Sequence, residues 1–214
     1  MRKLNLLLLL IVFVKLVNGQ DQAQNDRNIT LKLPLSSFAG DICAESMGIG
    51  LGLEKMIKPG LAISQELNYI FHVDNASILK EALETINGIK LTTEVRKYLS
   101  KNEAPQSGFF VTTEMKNIFT NSTKEAVSIE GVKARNEINR YRSHLTLNVG
   151  MLFYWDKNKN SNLTIELLGG GGLGYVNAES SIDTDNLVER SKYNTANKIY
   201  PCFNLDIKIG YVIK

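Results

Sequence analysis

In Gly88–Leu99 apolar and polar residues alternate strictly: Ile89, Leu91, Thr93 and Val95 are interleaved with Lys90, Thr92, Glu94 and Arg96. The last segment repeats the pattern, with Phe203, Leu205, Ile207, Ile209 and Tyr211 set against Asn204, Asp206, Lys208 and Gly210. Successive side chains of a β-strand point to opposite faces, so each segment has one apolar wall and one polar wall. Charge confined to one wall of long strands, downstream of an export signal, predicts a β-barrel with its apolar wall in a membrane and its charges inside.

The export signal is read in residues 1–19. Arg2 and Lys3 form a basic start, Leu6–Val14 is a purely apolar run, and Val17, Asn18 and Gly19 precede the cut. Lys15 leaves that run well short of the ~20 residues a spanning helix needs. Residues 20–27 are a polar, flexible lead, and residues 28–214 are one barrel domain. No later apolar run is long enough to span, and without such a helix only a closed barrel is integral to a membrane. The net charge of +3, with acids and bases interspersed, gives no nucleic-acid footprint. Two cysteines and two histidines are too few for a metal cluster, and no cofactor is expected.

Period-2 patterning and turn residues predict eight strands, at 28–37, 45–57, 60–72, 88–99, 107–119, 141–155, 161–176 and 199–213. Pro34 makes the first the weakest, because it removes a ladder donor. Lys58-Pro59-Gly60, Ser100–Gln106 and Asp156–Asn160 are short connections, whereas residues 38–44, Val73–Asn87, Thr120–Arg140 and Asn177–Lys198 are longer. Short and long connections therefore alternate, as in outer-membrane barrels with tight periplasmic turns and long extracellular loops. Ala76–Ile86 has helical spacing and is expected to form a short helix within its loop.

The polar wall carries Lys32, Glu54, Glu66, Lys90, Glu94, Arg96, Glu114, Lys116, Arg142, Glu166, Asp206 and Lys208, six acids and six bases. An eight-stranded barrel is just wide enough for side chains to fill it. Balanced signs in so narrow a space predict a closed ion-pair network that plugs the lumen, with Gly48, Gly50, Gly52, Gly170, Gly172 and Gly174 making room for long side chains. On the apolar wall Tyr69, Phe71, Phe119, Phe153, Trp155, Tyr175 and Tyr211 lie toward strand ends, the placement of an aromatic girdle. The same alternation also suits a secreted lipocalin-like carrier, with the apolar wall turned inward around a ligand.

The eight-strand layout resembles the small outer-membrane barrels of Gram-negative bacteria, of the outer membrane protein A and X type. Gly-Leu-Gly-Leu-Glu-Lys at 50–55, the turn at Lys58-Pro59-Gly60, and the glycine-rich segment at 166–175 resemble an uncharacterised outer-membrane β-barrel family of unknown function. The resemblance spans about residues 28–214. It implies a bacterial outer-membrane location, membrane lipid and the barrel-assembly machinery as partners, and no catalytic residues. Many such barrels end on an aromatic residue, whereas here Tyr211 is followed by Val212-Ile213-Lys214.

Other candidates carry less. Gly169–Gly172 with Gly174 lacks the helix and Lys-Ser/Thr of a phosphate-cradling loop. A lipid-modifying barrel enzyme would need a hydroxyl, a histidine and an acid together; Ser143 adjoins His144, but neighbours on a strand face opposite walls. His72 has no evident partner. Cys43, before the second strand, and Cys202, at the start of the last, are a candidate disulfide in an oxidising compartment. Asn28, Asn75, Asn121 and Asn162 begin glycosylation triplets, which in a bacterial protein are expected to be chance matches in an Asn/Ser/Thr-rich chain. An unidentified extracellular ligand is expected at the long loops around Ala76–Ile86, Asn121–Asn139 and Ala178–Asn197.

Overall fold

The computed structural model describes residues 29–36, 47–71, 85–99, 108–127, 133–155, 162–181 and 196–213. They form one sheet of eight antiparallel strands: β1 (Ile29–Pro34), β2 (Met47–Lys58), β3 (Leu61–Phe71), β4 (Thr85–Tyr98), β5 (Gly108–Val127), β6 (Lys133–Tyr154), β7 (Leu163–Ser180) and β8 (Ala196–Ile213). Each strand pairs with its neighbour in sequence, and β1 pairs with β8 from Ile29↔Ile213 to Pro34↔Lys208, which closes the barrel. No helix of the described residues is long and apolar enough to cross a membrane, a finding that does not bear on crossing by strands.

Two prolines mark how the ring is finished. Leu35 N–H donates to Ile207 O and Val212 N–H to Asn162 O, so odd residues of β8 direct their backbone groups toward β1 and even ones toward β7. Pro201 is odd: its missing N–H is lost on the β1 side, beyond the last registered pair at Lys208, and the β7 ladder stays whole. On β1 the parity directs Pro34 at β2, and the β1–β2 register ends two residues earlier, at Lys32↔Gly52. At the other end Pro59-Gly60 makes the β2–β3 turn, with Gly60 at φ +76°, the position of a type II turn that suits glycine.

The strands extend further than their apolar alternation does. The segment Thr120–Arg140, expected as a loop, is mostly β-structure: β5 and β6 pair without a break to Val127↔Lys133. Its outward residues there are polar and exposed, among them Asn121, Glu137 and Asn139, so the apolar signal fades while the ladder continues. The helix expected over Ala76–Ile86 is corrected at its end: Thr85 and Ile86 begin β4 and pair with Thr123 and Ser122. Residues 72–84, including His72, lie outside the described residues, as do the signal segment 1–19, the lead 20–27 and Cys43.

The parity of the two walls is that of an inverted globule. Large apolar side chains point outward and are exposed, Leu147 by 65% and Phe203 by 76%, while inward positions hold the buried polar residues. On β5 the outward Phe109 and Phe119 are ten residues apart. At about 3.3 Å per residue and a tilt of about 40°, that separation is roughly 25 Å along the barrel axis, the height of a barrel's apolar band.

Candidate functional site: the charged lumen

The inward wall is layered along the axis. At the turn end an apolar plug of Ala62, Tyr98, Phe110, Leu152 and Leu168 fills the bore, flanked by Met56 and Tyr154. The Tyr98 and Phe110 rings pack at 5.6 Å between centroids. Phe110 is fully buried, and it fits because its facing neighbour is Gly150: a Cβ there would run into the Phe110 ring. The alternation along the strands marks no inward apolar layer, because these residues sit on the wall that it makes polar.

Above the plug lie the charges. All twelve residues named from the polar wall are buried on the inward face. Arg96 is the hub. Its guanidinium reaches Glu94 at 2.5 Å, Glu166 at 2.6 Å and Glu54 at 3.1 Å, and its Cζ sits 4.7 Å from the centre of the Phe110 ring. Lys32 pairs with Glu54 and Glu166, each at 2.6 Å. Lys208 pairs with Glu66 and Glu94 and lies 3.6 Å from Asp206. The Tyr98 hydroxyl donates to Glu54 at 2.7 Å, which joins the network to the plug. Asp206 also accepts from the Ser36 hydroxyl.

These bonds run across the bore as well as between neighbours. Arg96 on β4 meets Glu166 on β7, and Lys208 on β8 meets Glu66 on β3 and Glu94 on β4. On the next level Lys116 of β5 donates to Asn204 of β8 at 2.7 Å, and Asn204 in turn donates to Glu114 at 3.0 Å. Lys116 lies 3.2 Å from Glu114. Buried charges tolerate desolvation only when paired with good geometry, and the inward network provides it from six of the eight strands around its Arg96–Lys32–Lys208 centre.

The twelve do not form one cluster of uniform sign. The turn-side group holds Lys32, Arg96 and Lys208 with Glu54, Glu66, Glu94, Glu166 and Asp206. Lys90 and Arg142 stand nearer the loop end, on either side of Ile118 in the register, with Lys116 one inward position below.

The inward glycines have a different role from the one expected. Only Gly52 gives way to a charged side chain, that of Glu66; Gly50 accommodates Asn68, and Gly174 the Tyr200 ring. At Gly48, Gly170 and Gly172 a Cβ would meet the carbonyl of Tyr69, Leu147 or Leu145 on the next strand. The inner side of so small and strongly coiled a ring has no space for a methyl group at those points. Gly169–Gly172 lie within the continuous strand β7.

Of the candidate catalytic residues, His144 is inward and buried, with its Nε2 2.6 Å from the Tyr200 hydroxyl. Ser143 belongs to the outward parity, opposite Asn117 and Tyr175, so it does not meet His144. Among the described residues no group of His, Cys, Asp and Glu is placed to hold a metal ion. Cys202 is inward and buried on β8; its candidate partner Cys43 lies outside the described residues. Of the girdle residues, Tyr69, Phe71, Phe119 and Tyr175 lie toward the loop end, and Phe153, Trp155 and Tyr211 toward the turn end. Phe119, Tyr141 and Tyr175 form a contiguous ring cluster at 4.8 and 6.4 Å, so Tyr141 joins that set.

The fold and lumen define an all-β, ring-closed, up-and-down barrel with a charged interior and an apolar exterior. Comparison with known proteins finds no matching family model, curated protein or solved structure.

Proposed function

We propose that the protein is an integral barrel of a bacterial outer membrane, exported by the segment 1–19, with a structural or surface-interaction role and no catalysis. The observation that carries this reading is the inversion of the walls: a belt of exposed Leu, Ile, Val and Phe outside, and paired charges inside. In water such a belt would drive aggregation, whereas in hydrocarbon it is the favoured surface. The roughly 25 Å between Phe109 and Phe119 supports the same location. A carrier of an apolar ligand needs an apolar cavity, and the bore is filled by Arg96, Lys208 and their carboxylates.

The barrel's partners on this reading are outer-membrane lipid and the assembly machinery that inserts it. The plug and the ion-pair network make it a non-conducting barrel. Contact with the outside falls to the loop end, where the β5–β6 ribbon reaches beyond the paired ends of β1 and β2. Planar-bilayer recording tests the closed bore: the purified protein should insert without a large steady conductance, and a porin-sized current would overturn the plugged lumen. Labelling of a cysteine placed at Asn121 with an impermeant reagent on intact cells tests the orientation; labelling only after lysis would invert it.

A further inference from the structure

We propose that the outward wall at the loop end is a docking surface for the uncharged sugar headgroup of a membrane glycolipid, an inference that rests on the barrel lying in a membrane. Phe119 of β5, Tyr141 of β6 and Tyr175 of β7 form one run of outward rings, 4.8 and 6.4 Å apart between centroids, at the loop-side edge of the apolar band. Amides lie among them and just beyond. Asn117 accepts from the Tyr141 hydroxyl at 2.8 Å. Phe119 lies opposite Tyr141, and in the next outward row Asn121 lies opposite Asn139 and donates to it at 3.0 Å. Tyr69 and Asn87 repeat the pairing on β3 and β4, the hydroxyl donating to the amide at 3.1 Å. Hydrogen bonds to neighbours hold these amides in place on an exposed wall, so little side-chain freedom is left to lose on binding.

Charge on the wall selects the headgroup. At the turn end the outward positions include two ammonium groups, Lys55 opposite Ile63 and Lys97 opposite Leu61, the chemistry that suits lipid phosphates. At the loop end the positions around the rings are amides and a hydroxyl, with Ser143 opposite both Asn117 and Tyr175. The nearest outward charges there are acidic: Glu179 is opposite Asn139, and Glu137 is the next outward residue of β6. Among the described outward residues of β5, β6 and β7 at this end, the first cation is Arg135, beyond Glu137, and it donates to Thr123. A phosphate would be repelled by the carboxylates, whereas sugar hydroxyls donate to them. An amide supplies both donors and an acceptor for hydroxyls, and the negative face of an aromatic ring attracts the C–H side of a sugar. Rings beside neutral amides, with no base among them, therefore fit an uncharged sugar.

The test uses the full-length barrel folded in detergent and an equimolar mixture of dihexosyl diacylglycerol, phosphatidylcholine and phosphatidylglycerol with the same acyl chains. Native mass spectrometry reads which lipid stays bound. The dihexosyl lipid should be retained several-fold over both phospholipids. Phe119→Leu and Asn121→Leu, at exposed outward positions that tolerate an apolar side chain, should each remove most of that preference. Phe153→Leu, which alters a ring at the turn end, should keep it. Equal retention of the three lipids, a preference for phosphatidylglycerol, or a preference that survives both Phe119→Leu and Asn121→Leu would overturn the proposal and leave the membrane reading standing. Retention of no lipid at all would remove the membrane reading, and the proposal with it.

Discussion

Replacement of Arg96 by Met removes the guanidinium at the hub of the lumen, with its contact to the Phe110 ring, and keeps an unbranched apolar stem. In the wild type the guanidinium is fully buried and within 3.1 Å of Glu54, Glu94 and Glu166. Without it, Lys32 and Lys208 remain to serve Glu54, Glu66, Glu94 and Glu166, and the bore holds buried negative charge without a matching cation. Breaking a buried pair by removing one partner costs about 3–5 kcal/mol, because the other charge stays desolvated. At a urea dependence of about 2 kcal/mol per molar, the unfolding midpoint should fall by about 2 M. Gel mobility of unheated samples after urea equilibration reads that midpoint directly. Arg96→Met combined with Glu166→Gln should be more stable than Arg96→Met alone, since the added change removes one stranded carboxylate. An unchanged midpoint for Arg96→Met, or a double variant that is less stable than the single one, would show that Arg96 does not hold the buried carboxylates.

Three further outcomes follow from other layers of the structure. Phe110→Ala empties the centre of the turn-end plug and should cost about 3–5 kcal/mol by the same gel assay, with a measurable rise in bilayer conductance. Gly172→Ala drives a Cβ into the Leu145 carbonyl and should destabilise the barrel by about 1–3 kcal/mol, whereas the outward Gly171→Ala, with neighbours at 3.2 Å and beyond, should cost less. Leu147, midway along β6 between Tyr141 and Phe153 and 65% exposed, should not tolerate Arg: about 2–4 kcal/mol lost in lipid vesicles.

Strand parity was legible because the period of two is written into the residues themselves, as in Lys90-Leu91-Thr92-Thr93-Glu94-Val95-Arg96. Burial of the twelve charges follows from parity once the apolar wall is taken as the outer one. Who pairs with whom was not legible. Arg96 with Glu166 and Lys208 with Glu66 are bonds across the bore, and they depend on ring closure and strand stagger rather than on spacing along the chain. The inward plug was missed because Ala62, Tyr98, Phe110, Leu152 and Leu168 are apolar residues on the wall that the alternation marks as polar. The β5–β6 ribbon was missed for the complementary reason: its outward face beyond Phe119 is Asn121, Glu137 and Asn139, which reads as loop. The glycines were located correctly on the inward wall but given the wrong neighbours, since close approach of a strand's carbonyls leaves no mark on the sequence.

On the proposed reading the apolar wall faces lipid and the charged wall is sealed inside. Membrane fractionation combined with heat-dependent gel mobility tests both halves at once. The protein should stay in the carbonate-washed membrane pellet, and unheated protein should migrate faster than heated protein, as a closed barrel does. Recovery in the soluble fraction with a single mobility at all temperatures would rule out a closed barrel in the membrane.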